Sequence, residues 1–125
     1  MPEIARIPVA SERSYEVIIG RGILDELPAL LHGATRVAII HPNALRVLGQ
    51  ALQERLADAG FTVTMIDIPE AEDAKTAVVL DSCWNRLGVA GFTRSDAIVG
   101  VGGGATTDLA GVVAATWLRG IRVVH

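Results

Sequence analysis

The sequence predicts an α/β fold: a largely parallel sheet with flanking helices, preceded by an N-terminal β-hairpin. Three observations carry that expectation. Short β-branched runs alternate with segments whose apolar residues recur at spacings of three and four. The run Val37-Ala-Ile-Ile40 is continuously apolar, as in a strand buried on both faces. A later run, Ala97 to Val101, ends in three successive glycines, Gly102 to Gly104, before a helical pattern resumes. Alternation of this kind favours parallel strands joined by right-handed crossovers.

Taken in order, Ile4 to Val9 and Tyr15 to Ile19 are separated by Ser11-Glu-Arg-Ser14, which predicts an antiparallel hairpin. Gly22 to Leu31 has the spacing of a short helix in spite of Pro28. Arg36 to His41 is a strand. Ala44 to Ala59 places Leu45, Leu48, Leu52 and Leu56 on one side of a helix, and Gly60 is its stop. Phe61 to Ile68 is a strand ended by Pro69. Thr76 to Leu87 carries Ala77, Leu80, Cys83, Trp84 and Leu87 at helical spacing. Ala97 to Val101 is the next strand, and a helix follows it from about Thr106 or Thr107, presenting Leu109, Val112, Val113 and Trp117 to a core. Ile121 to His125 opens a further strand after Gly120, from which the chain is expected to be a fragment of a longer protein.

Composition narrows the classes of function. The 125 residues are 50% apolar, with 11 basic and 14 acidic side chains for a net charge of −3. No basic stripe forms along a predicted helix, which argues against nucleic acid as the main partner. The start, Met-Pro-Glu-Ile-Ala-Arg, has none of the pattern of a secretory signal, so a cytoplasmic location is expected. The most apolar helical stretch, Leu109 to Leu118, is too short to cross a bilayer, and no membrane association is expected. The single cysteine, Cys83, reads as a small core residue.

The glycine turn is the most informative motif. Glycine permits backbone approach and dihedral angles closed to other residues, and the free N–H groups of a following helix attract anions. The sequence therefore points to a nucleotide or another phosphorylated ligand. Two familiar templates fail. Gly104 is followed by Ala105-Thr106 and not by the Lys-Ser/Thr pair of a P-loop, and no acidic residue lies about twenty positions downstream of the glycines to hold a ribose.

Ordinary readings stand beside the functional ones. Asp108 either binds a ligand or places negative charge in the first helical turn. Thr106 and Thr107 either donate to phosphate or cap the helix. The charged segment Glu70-Ala-Glu-Asp-Ala-Lys75 is either a solvated helix start or a ribose and phosphate contact. His32, His41 and His125 have no metal-site spacing, and no nucleophile with its base can be argued from this chain.

Gly102-Gly-Gly-Ala-Thr-Thr-Asp-Leu-Ala-Gly111, followed by Ala114-Ala-Thr-Trp-Leu-Arg-Gly120, resembles the glycine motif of the 3-dehydroquinate synthase family. Glu70 to Lys75 resembles that family's Asp-Gly-Glu-x-x-Lys loop at the expected distance, and the hairpin containing Tyr15 to Gly20 also fits. The resemblance covers essentially the whole chain and corresponds to the N-terminal third or so of a synthase. It implies a Rossmann-like NAD-binding domain over residues 1–125, incomplete, with the metal-binding C-terminal domain outside the chain.

The resemblance further implies conversion of 3-deoxy-D-arabino-heptulosonate 7-phosphate to 3-dehydroquinate and phosphate in the shikimate pathway of aromatic amino-acid biosynthesis. The sugar phosphate is the implied substrate, NAD and a divalent metal (zinc or cobalt) are the implied cofactors, and a homodimer is the implied full-length assembly. Glu70, Ala71, Glu72, Asp73, Ala74 and Lys75 would form the cofactor loop, with Glu72 and Lys75 on its adenosine side. Gly102, Gly103, Gly104, Ala105, Thr106 and Thr107 would hold the pyrophosphate and Asp108 the sugar or nicotinamide end. Arg119 would reach across a dimer to the substrate phosphate, or else be a cation favoured at a helix end.

Catalytic residues and metal ligands of the family would lie beyond His125, so the chain alone is expected to be inactive. Two departures affect particular contacts: the loop reads Glu70-Ala71 where the family has Asp-Gly, and the first cofactor turn reads His41-Pro42. Related readings are a sedoheptulose 7-phosphate or 2-deoxy-scyllo-inosose-type cyclase, a glycerol-dehydrogenase-like metal-dependent dehydrogenase, or a non-catalytic nucleotide-binding module. The stretch Trp117-Leu-Arg-Gly120 favours a cyclase over the dehydrogenases.

Overall fold

A computed structural model describes residues 5–9, 15–19, 23–69 and 76–125. The chain divides into two compact units, Met1–Leu30 and Leu31–His125. In the first, β1 (Ala5–Val9) and β2 (Tyr15–Ile19) pair antiparallel, with Ala5 opposite Ile19 and Val9 opposite Tyr15. This is the expected hairpin. Its connection lies outside the described residues. A 3-10 turn, Ile23–Glu26, then runs into the single-turn helix α1 (Leu27–Leu30). Pro28 is tolerated there because first-turn N–H groups have no intrahelical acceptor to lose.

The second unit is a four-stranded parallel sheet in the order β4-β3-β5-β6. Strand β3 (Arg36–Pro42) is central, and Val37 to Pro42 are all buried, as its uninterrupted apolar run predicts. Helix α2 (Arg46–Asp58), entered through a 3-10 turn at Asn43–Leu45, leads to β4 (Thr62–Ile68) at one edge. Helix α3 (Ala77–Ala90) carries the chain back past β3 to β5 (Ala97–Gly100). Helix α4 (Gly104–Thr116) and a 3-10 turn at Trp117–Arg119 then lead to β6 (Arg122–Val124) at the other edge.

Side chains alternate between the two faces of the sheet. Ala38, Ile40, Ile66, Ile68 and Ile98 form one core with Cys83 and Leu87 of α3 and Leu109, Ala110 and Val113 of α4. Trp84 Nε1 also donates to Thr116 Oγ1 (3.0 Å), tying the two helices. His41 and Met65 lie on the opposite face, where α2 approaches so closely that a Cβ on Gly49 would stand 3.1 Å from each side chain. Right-handed crossovers account for this division, because β3 to β4 and β4 to β5 run in opposite directions along the sheet.

Helix ends follow local chemistry. Thr76 Oγ1 accepts from Val79 N (3.2 Å) as the N-cap of α3, and Gly91 closes that helix in the left-handed region. Gly60 does the same beyond α2, with Phe61 N donating to Leu56 O (3.0 Å). Three expectations need correction. Val112, expected to face a core with Leu109 and Val113, is 46% exposed on the outer side of α4. Leu48 is 41% exposed, and the buried side of α2 is Gly49, Leu52 and Leu56, because close contact at Gly49 rotates the helix away from an all-leucine stripe. Helix α4 begins at Gly104, ahead of Thr106 and Thr107, so two of the three glycines belong to the helix and its cap.

Asp96 anchors the amino ends of β3 and β5. It is 1% exposed. Its Oδ1 accepts from Thr35 N (3.1 Å) and Arg36 N (2.8 Å), and its Oδ2 from Thr93 N (2.8 Å) and Thr93 Oγ1 (3.2 Å). Burial raises the pKa of this carboxyl, but the N–H bonds from Thr93, Arg36 and Thr35 outweigh it and hold the group below its ordinary value. Cys83 is buried, as expected, and burial pushes its thiol up to about 11 against a smaller opposing effect of Arg86.

Candidate functional site

The strand order creates one place where connections diverge. The chain leaves β3 towards β4 and leaves β5 towards β6, so the carboxyl ends of the adjacent strands β3 and β5 open a crevice between them. Ligands of open α/β sheets bind at such switch points. The His41-Pro42-Asn43 turn borders it on one side and the glycine turn on the other. Val101 N donates to Ile40 O (2.9 Å), carrying the pairing of the two strands up to the glycines.

The glycines have different tasks. Gly100 allows α4 to approach β5, since a Cβ there would lie 2.8 Å from Ala110 Cβ. Gly102 has φ +151° and turns against its neighbours: an added Cβ would lie 2.7 Å from Thr106 Oγ1, 2.8 Å from Thr106 Cβ and 3.2 Å from Pro42 Cδ. Gly103 and Gly104 are different in kind, for among the described residues nothing lies within 4 Å of a Cβ built on either. Their missing side chains leave a cradle over the start of α4.

Gly103 is the N-cap and supplies no side-chain acceptor. The amides of Gly104, Ala105 and Thr106 come before the first helical bond, which Thr107 N makes to Gly103 O (3.0 Å). Neither threonine is the cap. Thr106 is buried beneath Gly102, and Thr107 Oγ1 donates back to Gly103 O and Gly104 O (3.2 Å each). No acidic residue occupies the first turn of α4: Asp108, exposed, comes after it, so its reading as a first-turn charge is corrected. What remains, among the described residues, is a helix N-terminus with no side-chain cap, bare backbone and no carboxylate in its first turn. Such a turn suits an anion.

The other residues singled out in the sequence divide. Glu70, Ala71, Glu72, Asp73, Ala74 and Lys75 lie outside the described residues; β4 ends before them at Ile68, and Thr76 caps α3 after them. Arg119 ends the turn that follows α4, at the other end of the helix from the glycines. At 1.5 Å per residue, about 20 Å of helix separates them. Its backbone follows Leu118, which has φ +46°, a costly conformation for leucine. Its side chain lies outside the described part of the structure.

Sequence spacing gave no sign of a polar cluster on the α2 side of β3. His41, 1% exposed, contacts Pro42 O through Nδ1 (2.9 Å) and Asp67 Oδ1 through Nε2 (3.0 Å), and Arg46 Nη2 donates to Asp67 Oδ2 (2.6 Å). These groups line an open pocket of about 280 Å³ that also receives Arg86, whose Nη2 donates to Met65 O (2.6 Å). The one available signal was the position of His41 and Asp67 near the carboxyl ends of consecutive strands. Among the described residues no three His, Cys, Asp or Glu side chains group as metal ligands, and no helix is long and apolar enough to cross a membrane.

These features define a doubly wound α/β domain with its glycine turn at the switch point. Residues 65–125 match the family described as 3-dehydroquinate synthase N-terminal. The chain is 55% identical over 113 residues to 3-dehydroquinate synthase of Arthrobacter sp. (strain FB24), covering 90% of the chain and 31% of that protein. It is 50% identical over 125 residues to the same enzyme of Rhodococcus opacus (strain B4), covering all of the chain and 34% of the relative. The chain belongs to the 3-dehydroquinate synthase family, and it spans about a third of the length of the curated relatives it matches.

Solved structures agree on the fold. A 2-deoxy-scyllo-inosose synthase complexed with carbaglucose-6-phosphate, NAD+ and Co2+ superposes with a TM-score of 0.85 at 24% identity, over 98% of this chain and 34% of that one. A 2-epi-5-epi-valiolone synthase from Streptomyces hygroscopicus subsp. jinggangensis 5008, with NAD+ and Zn2+ bound, gives a TM-score of 0.72 at 25% identity, over 96% of this chain and 35% of that one.

Proposed function

We propose that this chain is the NAD-binding part of a 3-dehydroquinate synthase that converts 3-deoxy-D-arabino-heptulosonate 7-phosphate to 3-dehydroquinate and phosphate. The observation that carries the reading is the cradle at Gly103 and Gly104, where backbone is bare at the carboxyl ends of β3 and β5. Relatives named 3-dehydroquinate synthase supply the reaction class, and the NAD+ with Co2+ or Zn2+ bound in the structural neighbours supports NAD with a divalent metal.

In this reading the amides of Gly104, Ala105 and Thr106 hold the pyrophosphate, their partial positive charge matching its oxygens. Gly102 sets the turn and Gly103 keeps the approach clear. Asp108 serves the sugar or nicotinamide end, and Glu70 to Lys75 the adenosine side. When bound, NAD supplies reversible oxidation of a substrate hydroxyl, which makes the neighbouring proton acidic. The part assigned to the residues of this chain is to bind and orient the cofactor. Arg119 is assigned to the substrate phosphate across a homodimer, and the cytoplasm is the assigned location.

Titration calorimetry of the chain with NAD tests the binding step. Saturable binding that is lost in Gly104→Val while the melting temperature holds is the expected result. A folded chain giving no heat at millimolar NAD would remove the reading.

A further inference from the structure

We infer that His41 is a positioning residue for the cofactor cradle, acting through Pro42 and touching no ligand itself. The inference rests on the NAD reading above. Its imidazole is buried and both ring nitrogens meet oxygen: Nδ1 the Pro42 carbonyl at 2.9 Å, Nε2 the Asp67 carboxylate at 3.0 Å. The Pro42 carbonyl and the Asp67 carboxylate both present acceptor oxygens to the ring, one at each nitrogen. Arg46 holds the far oxygen of Asp67 at 2.6 Å. The charged groups facing the ring are therefore Asp67 from β4 and Arg46 from α2, with Arg86 of α3 also lining the pocket.

The ring is built into the fold. Gly49 of α2 admits it, because a Cβ there would stand 3.1 Å from His41 Cδ2. Pro42, held by this contact, is the wall against which Gly102 turns: a Cβ on Gly102 would meet Pro42 Cδ at 3.2 Å. Orientation thus passes from Asp67 and Arg46 through His41 to Pro42, and from Pro42 to the glycines. The residue pair that departs from the family's usual turn, His41-Pro42, does its work by bracing the cradle.

Amide hydrogen exchange and NAD calorimetry on the wild-type chain, His41→Phe and His41→Asn test this. Val101 N and Thr107 N report on the loop, since both are bonded at its edges. In His41→Phe their exchange is expected to rise about tenfold and the Kd for NAD about tenfold, each equivalent to about 1.4 kcal/mol. The amides bonded to Asp96 should keep their protection. His41→Asn, whose amide can still donate to the Pro42 carbonyl, should restore both readouts to within about threefold of wild type, or about 0.7 kcal/mol.

Wild-type loop exchange in His41→Phe, or faster exchange spread equally over the loop and the Asp96 end, would overturn the proposal. Asp67→Ala keeps the test decisive if the phenylalanine variant does not fold. It unties the ring from a half-exposed carboxylate, and unchanged loop exchange there counts against the role. A wild-type chain that binds no NAD sinks the cofactor reading, whereas the exchange comparison still decides whether His41 braces the loop.

Discussion

The two ends of the parallel sheet solve opposite problems. At the amino end, Asp96 is buried and both its oxygens are filled by N–H and hydroxyl donors from residues 35, 36 and 93. At the carboxyl end, the first turn of α4 has no side-chain cap and two glycines that meet nothing. One end fills a buried carboxylate with donors from within the chain; the other, among the described residues, has no side-chain cap at all. Under the proposed cofactor reading, stability and binding sit at opposite ends of the sheet, and each can be perturbed without the other.

The largest effect is expected from Asp96→Ala. It strands three backbone N–H groups, for a loss of about 3 kcal/mol or more in urea unfolding. NAD affinity measured on the folded fraction should not change. Gly102→Ala comes next, because φ +151° and a 2.7 Å approach to Thr106 combine strain with overpacking. About 2 kcal/mol of stability should be lost, and binding with it. Gly104→Ala sharpens the contrast most. Alanine favours a helix over glycine, so the melting temperature should hold or rise, while the Kd for NAD increases about tenfold, or about 1.4 kcal/mol. A Gly104→Ala variant with unchanged affinity would erase the distinction between the two ends.

The smallest effect is a pH dependence. Asp96 has its pKa lowered from the ordinary 3.8 in the folded chain. Its contribution to stability is therefore complete above that ordinary value and is lost as the pH falls through the folded value. Asp96→Asn should flatten this acid limb of a stability profile. An unaltered limb would mean that other carboxyl groups produce it.

Local pattern revealed much of this molecule. The hairpin, the sheet's strands and the three longer helices follow from periodicity, and the triple glycine marked the turn before any fold was known. Local pattern also misled at particular residues. Thr106 and Thr107 look like caps because threonine favours that position, yet the helix starts at Gly104, where packing of Gly100 on Ala110 and Gly102 on Thr106 sets its entry. Leu48 completes a leucine stripe in the sequence but faces outward, since contact at Gly49 decides the rotation of α2. The His41 to Asp67 pair and the links from Asp96 to Thr35 and Arg36 join separate strands, and no helical or strand period announces them.

By itself the sequence determined which segments are strands and helices, because burial of alternate or every third and fourth side chain is written along the chain. It also determined that a backbone without side chains stands between Val101 and Ala105. Tertiary structure alone decided that this backbone lies beside Pro42 at the divergence of β3 and β5. Strand order depends on crossover handedness and on contacts between residues far apart in sequence. Those same contacts fill Asp96 at one end of the sheet and, among the described residues, leave the start of α4 without a side-chain cap at the other.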